Sequence, residues 1–417
     1  MMIAKIINMS KRIKKIILEN GKQYIKRDKK TNSLHGFLFG LLHTEKDVSM
    51  DTVAARFNTL NIREFKSDTT IARQSFLNRY NSLPLEFFEK VSNGIGTLIE
   101  NMNKIKNTRQ ILAVDGSDTS CSKLLANNNY KLNKNQNSIT ALNLGIYNVT
   151  RNLPVMLEMV NHSDERKAFL DFIKRKNDFE NCIFVFDRGF DGTEFLSKLE
   201  ELKLRYVCRL RQNLLMIPKD NNDAIVRNNN SDIRVVTYNI NNNNYYLATN
   251  LFDKNDYKIN TFMQIYHDRW TIEEKFKLMK SNFHFQKTNF KNDVSIKKSI
   301  YCQLIIMRLT SLFSRLATKN KFEHENNKKC VINSKTLISG LYSGMLHYII
   351  FGKLDRKRCN LFTKCYIVFI TTNAGKHTPR VCVTAGLKWF VKQYTKKYLK
   401  TSDKQDPTCV ESIVVGD

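Results

Sequence analysis

Along the chain the spacing of apolar residues changes twice, dividing it into helical, strand-rich and again helical stretches. Over the first hundred residues apolar positions recur at helical spacing. Val53, Ala54, Phe57 and Leu60 mark one short helix, 71–80 a second and 87–98 a third, with Ser67 to Thr70 as a plausible start for the second. From Ile111 the period shortens. ILAVDGS reads as a buried strand ending in an acid, and ALNLGIYNVT and NLPVMLEMV as two strands joined at Arg151. A helix follows, capped by Ser163 or Asp164, with Phe169, Phe172 and Ile173 on its apolar stripe. CIFVFDRGF is a second strand ending in an acid, then come a helix over 192–202 and the strand LRYVCRL. Strand, strand, strand, helix, strand, helix, strand predicts an α/β domain with a mixed sheet, whose first three strands form an antiparallel meander.

Asn-rich punctuation then surrounds two strand-like runs, IRVVTYN and YYLATNLF, which read as a small β insertion over 212–260. Helical spacing returns in 265–287 and 296–317. At about 100° per residue, Tyr266, Arg269, Glu273 and Lys280 fall within an arc of roughly 60° on one helical face. Beside them run Ile265, Ile272, Phe276, Met279 and Phe283, so one stripe can pack while its neighbour presents a carboxylate, two cations and a phenol. An amphipathic surface helix with solvated charges has the same pattern, so Glu273 needs partners elsewhere. The domain division is 1–108 helical, 109–211 and 261–318 as two parts of one core, 212–260 as the insertion, and 319–417 as a basic C-terminal region.

The 417 residues carry a formal net charge of +29, which points to a polyanionic partner. No run approaches the ~20 apolar residues of a membrane span, and lysines interrupt the apolar residues at the start, so neither a span nor a signal core is read. Basicity continues down the chain and favours nucleic acid over a membrane surface. The nine cysteines are scattered without a Cys-x-x-Cys pair, and read as reduced small hydrophobes of a cytoplasmic, nucleoid-associated protein. Cys359, Cys365, His377 and Cys382 fit no familiar zinc spacing. Arg73, Gln74, Ser75 and Arg79 on the second of two short helices suit a helix-turn-helix-like reader, or equally a plain helical bundle. The Lys- and Arg-rich stretch 376–400 adds phosphate contacts, and the tail beyond Ser402 is expected to be disordered.

Asp115 and Asp187 each close an apolar strand, where α/β sheets place their ligands. If those strands are neighbours, both carboxylates meet at one spot that Glu273 can reach. Three oxygen donors of this kind hold Mg²⁺ or Mn²⁺, and two such ions ~4 Å apart suit phosphodiester displacement. Asp118 and Asp191 read as local caps, Trp270 as core, and His162 and Glu165 as a helix start with an acid near its positive end. Arg209 and Arg211 at the end of YVCRLR are candidates for a DNA channel.

Tyr266-x-x-Arg269-x-x-x-Glu273, then six residues and Lys280, resembles the Tyr-Arg-Glu-Lys signature of DDE transposases of the IS-four type of bacterial insertion sequences. VDGS around Asp115 and FDRGF around Asp187 resemble that family's first two acidic motifs, and the likeness covers roughly residues 50–315. The resemblance implies an RNase H-like core carrying a β insertion, and cut-and-paste transposition of double-stranded DNA by a homodimer. It implies Asp115, Asp187 and Glu273 as catalytic ligands of two Mg²⁺ or Mn²⁺ ions, with Tyr266, Arg269 and Lys280 on phosphates near the transposon end. An RNase H-like nuclease without integration, or a domesticated DNA-binding protein without catalysis, are the alternatives. No Gly-x-x-x-x-Gly-Lys-Ser/Thr loop occurs, which disfavours a nucleotide-driven enzyme.

The basic balance makes a first prediction. Affinity for duplex DNA should fall by about a thousandfold between roughly 50 and 200 mM salt if six or more phosphates are neutralised. A flat salt response in a fluorescence anisotropy titration would refute phosphate neutralisation as the basis of binding.

Overall fold

The computed structural model describes residues 2–371 apart from 26–30, 66–69, 103–108, 129, 131–137, 177–178, 213, 215–221, 229–230, 241, 289 and 322–329. The helix start expected at 67–69, the basic stretch 376–400, His377, Cys382 and the tail lie outside the described residues. Five helices come first: α1 (Met2–Gly21), α2 (Ser33–Leu42), α3 (Met50–Phe65), α4 (Arg73–Ser82) and α5 (Leu85–Met102). The sheet region follows as β1 (Gln110–Cys121), β2 (Ile139–Asn148), β3 (Leu153–Val160), α6 (Glu165–Arg175), β4 (Cys182–Phe186), α7 (Thr193–Glu201) and β5 (Arg205–Arg209). The insertion holds β6 (Asp223–Asn228), β7 (Ser231–Ile240) and β8 (Asn243–Thr249). Helices α8 (Ile259–Asp268), α9 (Trp270–Asn282) and α10 (Asp293–Lys321) come next. The described chain closes with β9 (Cys330–Ile332), α11 (Ser334–Gly340), α12 (Leu346–Ile350), α13 (Arg356–Tyr366) and β10 (Phe369–Thr371).

Eight strands form one sheet in the order β3-β2-β1-β4-β5-β8-β7-β6. Antiparallel β1–β2–β3 is the expected meander, and β1, β4 and β5 run parallel. An order 3-2-1-4-5 with only β2 reversed is the RNase H-like arrangement. The insertion differs from the expectation in two ways. DAIVRN, too short and polar to show a period, is a third strand, and β8 pairs antiparallel with β5, so the insertion extends the main sheet.

Alternation along the strands assigns the two faces. Leu112 and Val114 of β1 and Phe184 and Phe186 of β4 pack under Phe169 and Phe172 of α6 and Phe195 and Leu199 of α7. On the opposite face Ile183, Val185 and Val207 lie under Phe262 and Ile265 of α8. Ala113 of β1 shares a core with Ile272, Phe276 and Met279 of α9, with α10 and with the N-terminal helices.

The stretch 265–287 is not one helix. It breaks at Arg269, whose backbone is helical but joins two separate hydrogen-bonded runs, and it ends at Asn282. Beyond that the chain is extended and lies against β1. Ser120 N–H donates to the Gln286 carbonyl at 2.9 Å, Thr288 N–H to the Ser120 carbonyl at 3.0 Å, and Thr119 Oγ1 to the Phe285 carbonyl at 2.5 Å. The Lys46 N–H, in the turn after α2, donates to the Asn282 carbonyl at 3.0 Å. The C-terminal end of α9 is therefore tied to both the sheet and the helical bundle.

β3 is the outer strand, and a buried arginine covers part of its edge. Arg308 of α10 is 4% exposed; its Nε donates to the Pro154 carbonyl at 3.1 Å and its Nη2 to the Val155 carbonyl at 2.6 Å. Its Nη1 donates to the carbonyl and hydroxyl of Ser92 on α5, at 2.7 and 3.1 Å. A Cβ on Gly96 of α5 would lie 2.8 Å from this guanidinium, so the glycine makes its room. Burial lowers the Arg308 pKa to about 10, still fully charged at neutral pH. Among described cysteines, 121, 208, 302 and 359 are buried, 182 is half-buried and 365 exposed, all reduced. Among the described residues no helix is long and apolar enough to cross a membrane.

Arg308→Met should lower stability by about 3 kcal/mol, because three buried carbonyls lose their donor. Chemical denaturation would read this, and an unchanged midpoint would mean that Arg308 does not hold the sheet edge to α5.

Candidate active site

The last pair of the parallel β1–β4 ladder is Ala113 with Val185. Asp115 and Asp187 each stand two residues further along, on the strand face that carries α8 and α9. The register thus puts two carboxylates side by side where the strands part. Asp187 begins a 3-10 turn, and its Oδ1 accepts the Gly189 N–H at 2.8 Å. Asp115 Oδ1 accepts the Gly116 N–H at 2.9 Å. Glu273, in the first turn of α9, completes the expected three acids.

Their mutual field is visible in Asp115, whose pKa is raised to about 7. Burial is the largest cause; Arg269 opposes it, while Asp187 and Glu273 add to it. Each donor is a carboxylate oxygen, the chemistry that suits a hard divalent cation. In the present arrangement, however, no three His, Cys, Asp or Glu side chains among the described residues stand close enough together to hold an ion. Glu273 is engaged elsewhere: its Oε1 accepts a hydrogen bond from Arg269 Nη2 at 2.6 Å.

Arg269 is 4% exposed, and its Nε and Nη1 have no hydrogen-bond partner. Tyr266 lies beneath it, 2% exposed, with the guanidinium carbon 5.5 Å from the ring centre. Arg209 approaches the same ring at 5.8 Å and covers Tyr245 at 4.4 Å; Tyr245 in turn stacks on Tyr238 at 5.2 Å. The phenol of Tyr266 is pushed above its ordinary pKa by burial, against the pull of the two arginines. Lys280 is half-buried two turns beyond Glu273.

Three side chains depart from their expected roles. Trp270 is 47% exposed next to Arg269 and is not core, because it lies about 140° round the helix from Ile265 and the apolar stripe. Asp191 does not cap locally. It is fully buried and its Oδ2 accepts both the backbone N–H and Nε–H of Arg211, each at 2.8 Å, with Arg166 3.9 Å from its other oxygen. Arg211 thus ties the end of β5 to the loop after β4. Glu165 follows the Asp164 cap, whose Oδ1 accepts the Lys167 N–H at 3.0 Å, as the helix-start reading expects. Its carboxylate, however, leans over the acids: a Cβ on Gly116 would lie 2.1 Å from Oε1, and one on Gly189 would lie 3.7 Å from Oε2. Its pKa is raised to about 7, first by burial, then by Asp115 and Asp187. The glycine after Asp115 was the signal for this fourth carboxylate, since a side chain at 116 would occupy the space it fills.

Residues 106–309 match the family described as the transposase DDE domain. A protein of Synechocystis sp. assigned as transposase for insertion sequence element IS4SA is 29% identical over 143 residues, which are 32% of this chain and 41% of that protein. The chain thus spans about two-fifths of that relative's length. Among solved structures, a cryo-EM structure of the piggyBac transposase synaptic complex with hairpin DNA aligns with a TM-score of 0.45 at 12% identity, over 92% of this chain and 87% of that one.

Glu165 should titrate near 7 and fall toward its ordinary value in Asp115→Asn and in Asp187→Asn, without reaching it, because burial is the larger cause. Carboxyl carbon NMR with labelled glutamate measures this. An ordinary value in the unaltered chain would remove Glu165 from the acidic centre.

Proposed function

We propose that this chain, whose residues 106–309 belong to the transposase DDE domain family, is a DNA transposase that cuts at the terminal inverted repeats of an insertion sequence and joins the freed 3′ ends to target DNA. The observation that carries the reading is the equal offset of Asp115 and Asp187 beyond the last β1–β4 pair, with Glu273 on the helix that covers them. Two strand-end carboxylates and one helix carboxylate lie on the same face of the sheet, next to a buried guanidinium with two unpartnered N–H groups.

In this reading Asp115, Asp187 and Glu273 hold divalent metal, Mg²⁺ or Mn²⁺, as two ions. When bound, the ions polarise the scissile phosphate and lower the pKa of the attacking oxygen. Arg269 holds a non-bridging phosphate oxygen through its planar N–H groups and stabilises charge developing there. Tyr266, buried under both arginines, keeps the two guanidinium planes apart and oriented. Lys280 and Arg209 meet flanking phosphates, and Arg211 lines the DNA path from its anchor on Asp191. The exposed Arg73 and Gln74 of α4 belong to the N-terminal region that reads DNA, while Phe76 and Tyr80 seat that helix in the bundle. Pairing of two ends makes the working species a homodimer on DNA, in the cytoplasm at the nucleoid.

Linear DNA carrying the gene's own flanks, incubated with protein and Mg²⁺ or Mn²⁺, tests this. Metal-dependent nicks should map to an inverted-repeat boundary, with joined products. Asp115→Asn, Asp187→Asn and Glu273→Gln should each reduce cleavage by at least about a thousandfold, ~4 kcal/mol of barrier, while end binding persists. Near-normal cleavage by any of the three would remove that residue from the site. Scattered cuts without joining would identify a nuclease instead.

A further inference from the structure

We propose that Arg269 is a latch on Glu273: in the DNA-free protein it withholds that carboxylate from metal, and a phosphodiester arriving on its open N–H groups releases it. The inference rests on the transposase reading and adds an order of assembly to it, with DNA before the complete metal site.

An arginine keeps its charge at any ordinary pH, and a buried charge must be met by a counter-charge. Arg269 is buried, and Glu273 is its hydrogen-bonded carboxylate, on the adjacent turn at 2.6 Å. The Tyr266 and Trp270 rings lie 5.5 and 5.9 Å from the guanidinium carbon, and the Asp115 carboxylate acts on it through space. Aromatic faces favour the cation but cannot replace an anion. Nε and Nη1 remain without partners, although polar groups at such depth are ordinarily bonded. The pair is therefore incomplete, with two donors still to be used.

A phosphodiester offers two non-bridging oxygens whose spacing matches adjacent N–H groups of a guanidinium. Seated there, it takes over from Glu273 as the anion nearest the guanidinium. It also places a negative charge beside Glu273, so the carboxylate that stabilised Arg269 is now repelled. The relief available to Glu273 lies toward Asp115 and Asp187. The lack of a three-donor group among the described residues follows from the pairing of Glu273 with Arg269.

The test is Mn²⁺ affinity of the full chain without DNA, followed by the electron paramagnetic resonance of free Mn²⁺, with each variant's fold checked by circular dichroism. Arg269→Gln should bind Mn²⁺ about tenfold or more tightly than the unaltered chain, because it frees a charged ligand. Arg269→Lys, which keeps a charge against Glu273, should remain within a few-fold of the unaltered chain. Adding Asp187→Asn to Arg269→Gln should abolish the gain. A gain that survives Asp187→Asn would mean that the metal is held elsewhere and would refute the site reading itself. Equal or weaker binding by Arg269→Gln would overturn the latch alone. Should Arg269→Gln fail to fold, Glu273→Gln decides: a carboxylate already withheld can be removed with less than about twofold loss of Mn²⁺ affinity, whereas a tenfold loss would overturn the latch.

Discussion

The site depends on the parallel register of β1 and β4. Once Ala113 stands opposite Val185, Asp115 and Asp187 need no further device to meet, because equal steps along parallel strands end at equal heights. The strands part there, and backbone N–H groups of the residues that follow meet the carboxylates. The buried phenylalanines of β4, α6 and α7 hold this register from one side, and α8 and α9 close the other. The cost of gathering negative charge is met locally. Arg269 stands against Glu273, Arg211 against Asp191, and Gly116 makes room where a fourth acid approaches.

A second theme is how this sheet is finished at its two ends. On the β5 side the insertion adds three strands, and its Tyr238 and Tyr245 stack with Arg209 of β5, which reaches Tyr266 on α8. On the β3 side Arg308 fixes the edge carbonyls to α5 and α10. Both devices use guanidinium planes against groups that a lysine would serve poorly, either an aromatic face or several carbonyls at fixed angles.

Much of this was legible in the sequence because the strands of the core are apolar on both faces and their ends are marked by acids. The meander and α6 with its Asp164 cap follow from pattern alone, whereas Asp115 was expected beside Asp187 only if their strands were neighbours, which the β1–β4 pairing makes them. What escaped depends on partners distant in sequence. Asp191 looks like a turn residue until Arg211 arrives from the end of β5. Glu165 looks like an ordinary first-turn acid until Gly116 of β1 is seen to leave its space. Trp270 directly follows a buried arginine in sequence, but at 100° per residue it stands about 140° from Ile265 and the apolar stripe, and its indole is exposed. The strand β6 carries too few apolar residues to show a period.

The tie between Asn282 and the turn after α2, with the extended 283–288 segment against the end of β1, gives the N-terminal helices a share in the catalytic geometry. A region that only reads DNA could be exchanged between relatives as a cassette, carrying its preference with it. Here the graft boundary would cut through the support of the Glu273 helix. Any such exchange would therefore have to carry α2 and its following turn unchanged, whatever else it altered.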